Sequence, residues 1–176
     1  MSRPRSMWNQ AVETMPPLNL EREFVRPRLA LALRHAFERS PFWRERFTAA
    51  GVESSELTVD FDLSRLPVVS KVDILADQAA HPPYGSLLAV SQEDLCRIHR
   101  TSGTTSRPLF ITLTLEDVVQ TLEAGARAFV CAGVKPTDTI IHCLNYCMWS
   151  GGLTDHLCLE QTGATVIPFG VGNSRL

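Results

Sequence analysis

The sequence predicts an α/β fold: a helical front part followed by the first part of a mostly parallel sheet. Three observations carry this. Between Leu18 and Ala80, apolar residues recur at helical spacing in short, separately capped pieces. From Leu95 onward, strand-length apolar runs alternate with helical runs closed by glycine, in the order strand–loop–strand–helix–strand–helix–strand. Hydrophobic residues at 44% and charged residues at 20% of a 176-residue chain match ordinary globular usage and exclude wholesale disorder. The expected organisation is a flexible arm over 1–17, a helical subdomain over 18–90, and the start of an α/β domain over 91–176.

The elements follow in order. Polar and charged residues with single bulky ones fill the first fifteen positions before Pro16-Pro17 interrupts them, which predicts a loosely held arm. Leu20, Phe24, Leu29, Leu31, Leu33 and Phe37 then favour one helical face, and Pro27 inside the run either starts a helix or kinks one. Ser40-Pro41 reads as a cap and first helical position, opening a helix that stops at Gly51. Ser70 with Asp73 three residues later is close to a capping box, and His81-Pro82-Pro83 with Gly85 forces a loop. LCRIH (95–99) and LFITLT (109–114) are strand candidates around the loop TSGTTSRP. Leu115 to Cys131 has helical spacing ended by Gly133, TIIHCL (139–144) reads as a buried strand, 152–162 as a helix closed by Gly163, and ATVIPFG as the next strand. That strand is followed only by VGNSRL, where a βαβ chain turns into its next helix, so the sheet is expected to be incomplete.

Lys and Arg total 17 against 19 Asp and Glu, a formal charge of −2, so nothing in the balance calls for nucleic acid. No run approaches the roughly 18 apolar residues of a membrane span, and the N-terminus lacks the apolar core of a secretory signal. Five cysteines form no framework, and three sit in apolar surroundings that predict reduced, buried thiols. A cytoplasmic protein is the expectation. His142, Cys143 and Cys147 suggest a metal site at first sight, but no second C-x-x-C pair exists and neighbours on a strand face opposite ways, so no metal is assigned.

The most informative segment is Arg100-Thr101-Ser102-Gly103-Thr104-Thr105-Ser106-Arg107-Pro108. Five of its nine residues carry hydroxyls and two are arginines. Small residues let successive backbone N–H groups converge on an anion, hydroxyls donate to phosphate oxygens, and arginines add charge-assisted bonds. The spacing and lysine of a Walker A loop are absent, as is G-x-G-x-x-G. The alternative is a Ser/Thr-rich hairpin connection whose hydroxyls satisfy local backbone.

TSGTT followed by S-R-P, between RIH and LFITLT, resembles the phosphate-binding loop of adenylate-forming enzymes. SPFWRERFTAAGV (40–52), LSRLPVVSKVDI (63–74), YGSLLAV (84–90), RIHRTSGTT (97–105), AGVKPTD (132–138), SGGLTDH (150–156) and GATVIPFGVGNSRL (163–176) occur in the order of one branch, the phenylacetate-CoA ligase family. The resemblance covers most of residues 40–176 and implies the N-terminal portion of an AMP-binding fold. It implies a two-step ligase using ATP, Mg2+ and coenzyme A: a small-molecule carboxylic acid forms an acyl-adenylate, and the CoA thiol then displaces AMP. It implies nucleotide contacts for Thr101, Ser102, Gly103, Thr104, Thr105, Ser106 and Arg107. Ser106 stands where the family usually has a second glycine, and Arg107 where lysine is common, which reshapes the loop and favours planar bidentate contacts.

Lys71, in the LPxxxK segment, is either a lysine reaching the terminal phosphate or an exposed lysine on a short helix. His156 either contacts the acid's carboxylate or is a packed histidine, with Tyr146, Trp149, Gly151 and Gly152 shaping the same pocket or serving packing alone. The later adenine, ribose and lid motifs of the family are absent, so this chain alone is expected not to form acyl-CoA. Three readings stay open: part of a CoA ligase, truncated or completed by another chain; a non-catalytic interaction module; or an unrelated phosphate-binding enzyme. An incomplete sheet would leave an apolar edge for a second copy or a complementing chain to cover.

Overall fold

The computed structural model describes residues 7–101 and 108–172. The chain divides into two compact units, Met15–Asp94 and Met1–Thr14 with Leu95–Leu176. A one-turn helix, α1 (Gln10–Glu13), capped by the Asn9 side chain, precedes the first of these in sequence and belongs to the second in space.

Unit Met15–Asp94 is helical. A short turn, α2 (Pro17–Asn19), runs into a wider π-helical segment at Leu20–Val25 and then α3 (Arg26–Arg39). Pro27 falls in the first turn of α3. A proline there has no N–H for the Glu23 carbonyl and its ring crowds that carbonyl, which accounts for the widened turn just before it. α4 (Pro41–Ala49) starts where the Ser40 hydroxyl oxygen accepts from the Trp43 N–H at 3.4 Å, the cap expected from Ser-Pro. Phe47 from α4 meets Val52, Leu57 and Phe61 in the unit's core, with Leu33, Phe37, Trp43 and Leu66 packed around them. α5 (Lys71–Ala80) has the full reciprocal cap: the Asp73 N–H donates to the Ser70 hydroxyl, and Asp73 accepts from the Ser70 N–H at 2.7 Å.

The second unit carries the strands. β1 (Leu95–Arg100) and β2 (Phe110–Thr114) pair antiparallel, with His99 opposite Ile111 and Arg100 opposite Phe110. The nine residues between them are too few for the crossover a parallel neighbour requires, so a hairpin is the only short solution. α6 (Leu115–Ala132) follows directly, capped by Thr114 and Asp117 and ended by Gly133 at φ 106°, a left-handed position that favours glycine. β3 (Thr139–Ile141) and β4 (Thr165–Ile167) pair in parallel across α7 (Ser150–Gln161), the βαβ arrangement expected of an α/β chain. α7 lies against α6 so closely that a Cβ on Gly125 would come within 2.2 Å of the Cys158 sulfur.

Among the described residues the α/β class is thus present as two strand pairs, one antiparallel and one parallel. Two details differ from expectation. The run TIIHCL pairs only over Thr139–Ile141, and Ile141 is 60% exposed, because in each strand of the pair only the middle residue turns inward. Of the cysteines, Cys158 alone is buried; Cys96, Cys131, Cys143 and Cys147 are exposed. No helix among the described residues is long and apolar enough to cross a membrane.

Candidate functional site

The chemistry-bearing residues of the second unit gather at the carboxyl ends of β3 and β4. Open parallel sheets present ligand sites there, because the loops leaving the strands and the following helix N-terminus converge. His142 continues β3 by one residue. Its N–H donates to the Ile167 carbonyl at 2.9 Å, and its own carbonyl accepts from the Gly170 N–H at 3.0 Å. The loop to α7 then turns through Asn145, whose side chain accepts from the Cys147 N–H, and through Met148 at φ 55°, a left-handed conformation costly for a non-glycine residue. A Cβ on Gly152 would stand 2.0 Å from the Asn145 carbonyl oxygen, so only glycine lets the first turn of α7 sit against this loop.

Three rings meet inside the loop. The Tyr146 hydroxyl lies 2.8 Å from His142 Nδ1 and 3.0 Å from His156 Nδ1. The centroids are 5.3 Å apart for His142–Tyr146, 5.7 Å for Tyr146–His156 and 5.9 Å for the two imidazoles. The other nitrogen of His156, Nε2, faces the Glu160 carboxylate one turn along α7 at 3.1 Å. Burial first, and then the Glu160 carboxylate, raise the Tyr146 phenol above its ordinary value, so it stays a neutral hydroxyl. His142 is 5% exposed and its Nε2 has no hydrogen-bond partner among the described residues.

The Ser/Thr-rich loop is rooted beside this cluster. The Arg100 N–H donates to the Met148 carbonyl at 2.9 Å, which ties the end of β1 to the loop that carries Tyr146. Thr101 closes the hairpin: its N–H donates to the Leu109 carbonyl at 2.9 Å, and its hydroxyl oxygen accepts from the Leu109 N–H at 3.0 Å. Its amide is therefore engaged locally, in the manner of the hairpin alternative. Ser102, Gly103, Thr104, Thr105, Ser106 and Arg107 lie outside the described residues. Between Asp94 and Glu116 the sequence holds Arg97, Arg100 and Arg107 and no carboxylate, a charge pattern that suits a phosphate-bearing ligand.

The remaining candidates fall as follows. His156 joins Tyr146, but both of its ring nitrogens are engaged, so it reaches no ligand without giving up a partner. Trp149 lies over Gly151, with ring carbons about 3.0–3.2 Å from where a Cβ would be. Lys71 is the exposed first residue of α5, in unit Met15–Asp94. Sequence reading did not single out His142 as a partner of Tyr146, nor Glu160 as a partner of His156. The second of these had a signal in the i,i+4 spacing on a helix; the first, in an irregular segment, had none. Among the described residues, no three His, Cys, Asp or Glu side chains gather in a way that would hold a metal ion.

No protein-family model matches the chain. It is 34% identical over 148 residues to a phenylacetate-coenzyme A ligase of Pseudomonas putida, which covers 84% of this chain and 33% of that one. A phenylacetate-coenzyme A ligase of Thermus thermophilus is 33% identical over 166 residues, covering 94% of this chain and 36% of its own length. The chain therefore spans about a third of the curated relatives it matches. Among solved structures, 2-hydroxyisobutyryl-CoA ligase in an open conformation with 2-HIB-AMP and CoA superposes with a TM-score of 0.85 at 29% identity, over 98% of this chain and 40% of that one. The same ligase in its thioesterification state gives 0.86 at 30% identity, over 98% and 36%.

Proposed function

Because the chain belongs to the phenylacetate-coenzyme A ligase family, of which it spans about a third, we propose that it is the acid- and phosphate-contacting part of an AMP-forming acid–CoA ligase. The observation that carries this reading is the likeness, over 98% of the chain, to a ligase solved with an acyl-adenylate and CoA.

In this reading a carboxylate oxygen attacks the α-phosphate of Mg·ATP, the bond to the β-phosphate breaks, and pyrophosphate leaves. The coenzyme A thiolate then attacks the acyl carbon and AMP departs. The chain's share is charge management and positioning. Thr101 anchors the hairpin whose Ser102, Gly103, Thr104, Thr105, Ser106 and Arg107 hold the departing phosphates. The cluster of His142, Tyr146 and His156, at the carboxyl ends of β3 and β4, receives the acid. Lys71 is assigned to the terminal phosphate. Residues 1–176 by themselves do not turn over, because the contacts that orient adenine and ribose are not among them.

ATP–pyrophosphate exchange with a panel of aryl and aliphatic acids tests both halves. The chain alone is expected to stay at background; exchange above background overturns its dependence on further residues. Fused in frame to the complementary two-thirds of the Thermus relative, it is expected to support acid-dependent exchange, reduced about 10²-fold by Thr104→Ala or Thr105→Ala. A folded fusion without exchange sinks the ligase reading.

A further inference from the structure

The hydrogen bonds around Tyr146 constrain where protons can sit. The Glu160 carboxylate 3.1 Å from His156 Nε2 requires a proton on that nitrogen, since a bare lone pair there would face a negative charge. With His156 neutral, its Nδ1 is then an acceptor, and the Tyr146 hydroxyl must donate to it. The phenol oxygen is left to accept, so His142 carries its proton on Nδ1. Its buried Nε2 is then a bare lone pair, the atom without a partner among the described residues.

One added proton reverses the whole chain. When His156 is cationic, its Nδ1–H donates to the phenol oxygen, the phenol donates to His142 Nδ1, and His142 carries its proton on Nε2. The step balances: a proton binds His142 Nε2, the Nδ1 proton passes to Tyr146, and the Tyr146 proton passes to His156 Nδ1. The positive charge settles on His156 because Glu160 is there to pair with it. Kept on His142, it would sit in a 5%-exposed residue whose Nε2–H has no partner among the described residues.

We propose that His142, Tyr146, His156 and Glu160 form a one-proton relay. In it the charge state of His156 sets the buried Nε2 of His142 as acceptor or donor, and the donor form is the carboxylate contact of this site. The carboxylate half rests on the ligase reading above; the relay does not. His142 is thereby a specificity-determining residue, and His156 acts through it as a positioning residue. Among the described residues, β3 and its extension bring the titratable groups of His142 and Cys143, the loop brings Tyr146 and Cys147, and α7 brings Asp155, His156 and Glu160. β1, bonded to the loop from the Arg100 N–H to the Met148 carbonyl, adds the Arg100 cation. Residues 165–170 are Thr, Val, Ile, Pro, Phe and Gly, none of which titrates in this range. α6 packs on α7 at Cys158, about 200° round the helix from His156.

The test uses the full chain with 15N-labelled histidine. Two-bond proton–nitrogen spectra are followed from about pH 5 to 8, the range in which imidazoles change charge. His142 is expected to switch from the Nδ1–H to the Nε2–H tautomer at the same midpoint at which His156 becomes cationic. Phenylacetate is expected to bind with uptake of one proton, weakening about tenfold per pH unit above that midpoint. Tyr146→Phe, with folding checked by its amide spectrum, is expected to remove both the tautomer switch and the pH slope. A His142 tautomer that ignores His156 in the unsubstituted chain overturns the relay. A tautomer switch in a chain that binds no carboxylate at either end of the range keeps the relay and removes the acid-ligase reading. Carboxylate binding with no slope and no tautomer change does the reverse.

Discussion

Glu123 on α6 accepts two side-chain hydrogen bonds at once: Trp8 Nε1 donates to one oxygen at 2.7 Å and Asn9 Nδ2 to the other at 2.9 Å. With both oxygens occupied by donors, first Asn9 and then Trp8, the carboxyl is held below the ordinary glutamate value. The sign follows from linkage. A carboxyl whose value is depressed in the folded chain contributes fully above its unfolded value and loses that contribution as pH falls through the folded one. Docking of residues 8–13 is therefore expected to weaken on acidification below the usual glutamate range. Protection of the Trp8 indole N–H against exchange, followed with pH, checks this. In Glu123→Gln that dependence should be flat; an unchanged profile would mean that another group holds the segment.

At the scale of elements, the approach of α7 to the loop before it is the most constrained feature. Gly152 sits 2.0 Å, measured from a would-be Cβ, from the Asn145 backbone oxygen, and backbone cannot swing aside as a flexible side chain does. Gly152→Ala is expected to cost about 1–3 kcal/mol by overpacking, read as a lower urea midpoint at unchanged slope. Because the strain falls on residues 145–146, it should also lengthen the contacts of Tyr146 with both histidines and shift their ring signals.

The elements also separate what a linear reading reaches from what it does not. Ser40, Ser70 with Asp73, and Gly133 announced helix ends correctly, because a cap is written within four residues of chain. Which strand lies beside which is a different kind of information. The alternation of strands and helices gave the class, yet β1 and β2 close as a hairpin while β3 and β4 pair across a helix, and only loop length separates the two outcomes. The site divides in the same way. His156 and Glu160 share a helix face by periodicity, whereas His142 reaches Tyr146 across the irregular stretch 143–145, which no spacing rule encodes.

At the scale of the molecule, the two units rest on different supports. Unit Met15–Asp94 has a compact aromatic and aliphatic core, in which the Phe47 ring meets Phe37 at 6.2 Å and Trp43 at 5.7 Å. Phe47→Ala is expected to destabilise it by about 3–5 kcal/mol, a large share of a small domain's stability. Urea unfolding followed by amide exchange in α4 measures the loss; a cost under about 1 kcal/mol would mean that the core re-forms around the gap. The second unit relies more on helix-to-helix approach at Gly125 and on the stitched loops at the strand ends, and it leaves Ile141 and Ile167 exposed.

The tie between Trp8 and Glu123 spans 115 positions, and that separation has a consequence for the order in which the protein is made. A ribosome adding about 5–20 residues per second emits Trp8 roughly 6–23 seconds before its acceptor exists. Throughout that interval the intervening helical unit is synthesised whole, with every partner for its core already outside the tunnel soon after Asp94. The nascent chain thus meets these two tasks in reverse order: the helical unit settles early, and the segment around Trp8 waits for a docking helix encoded much later.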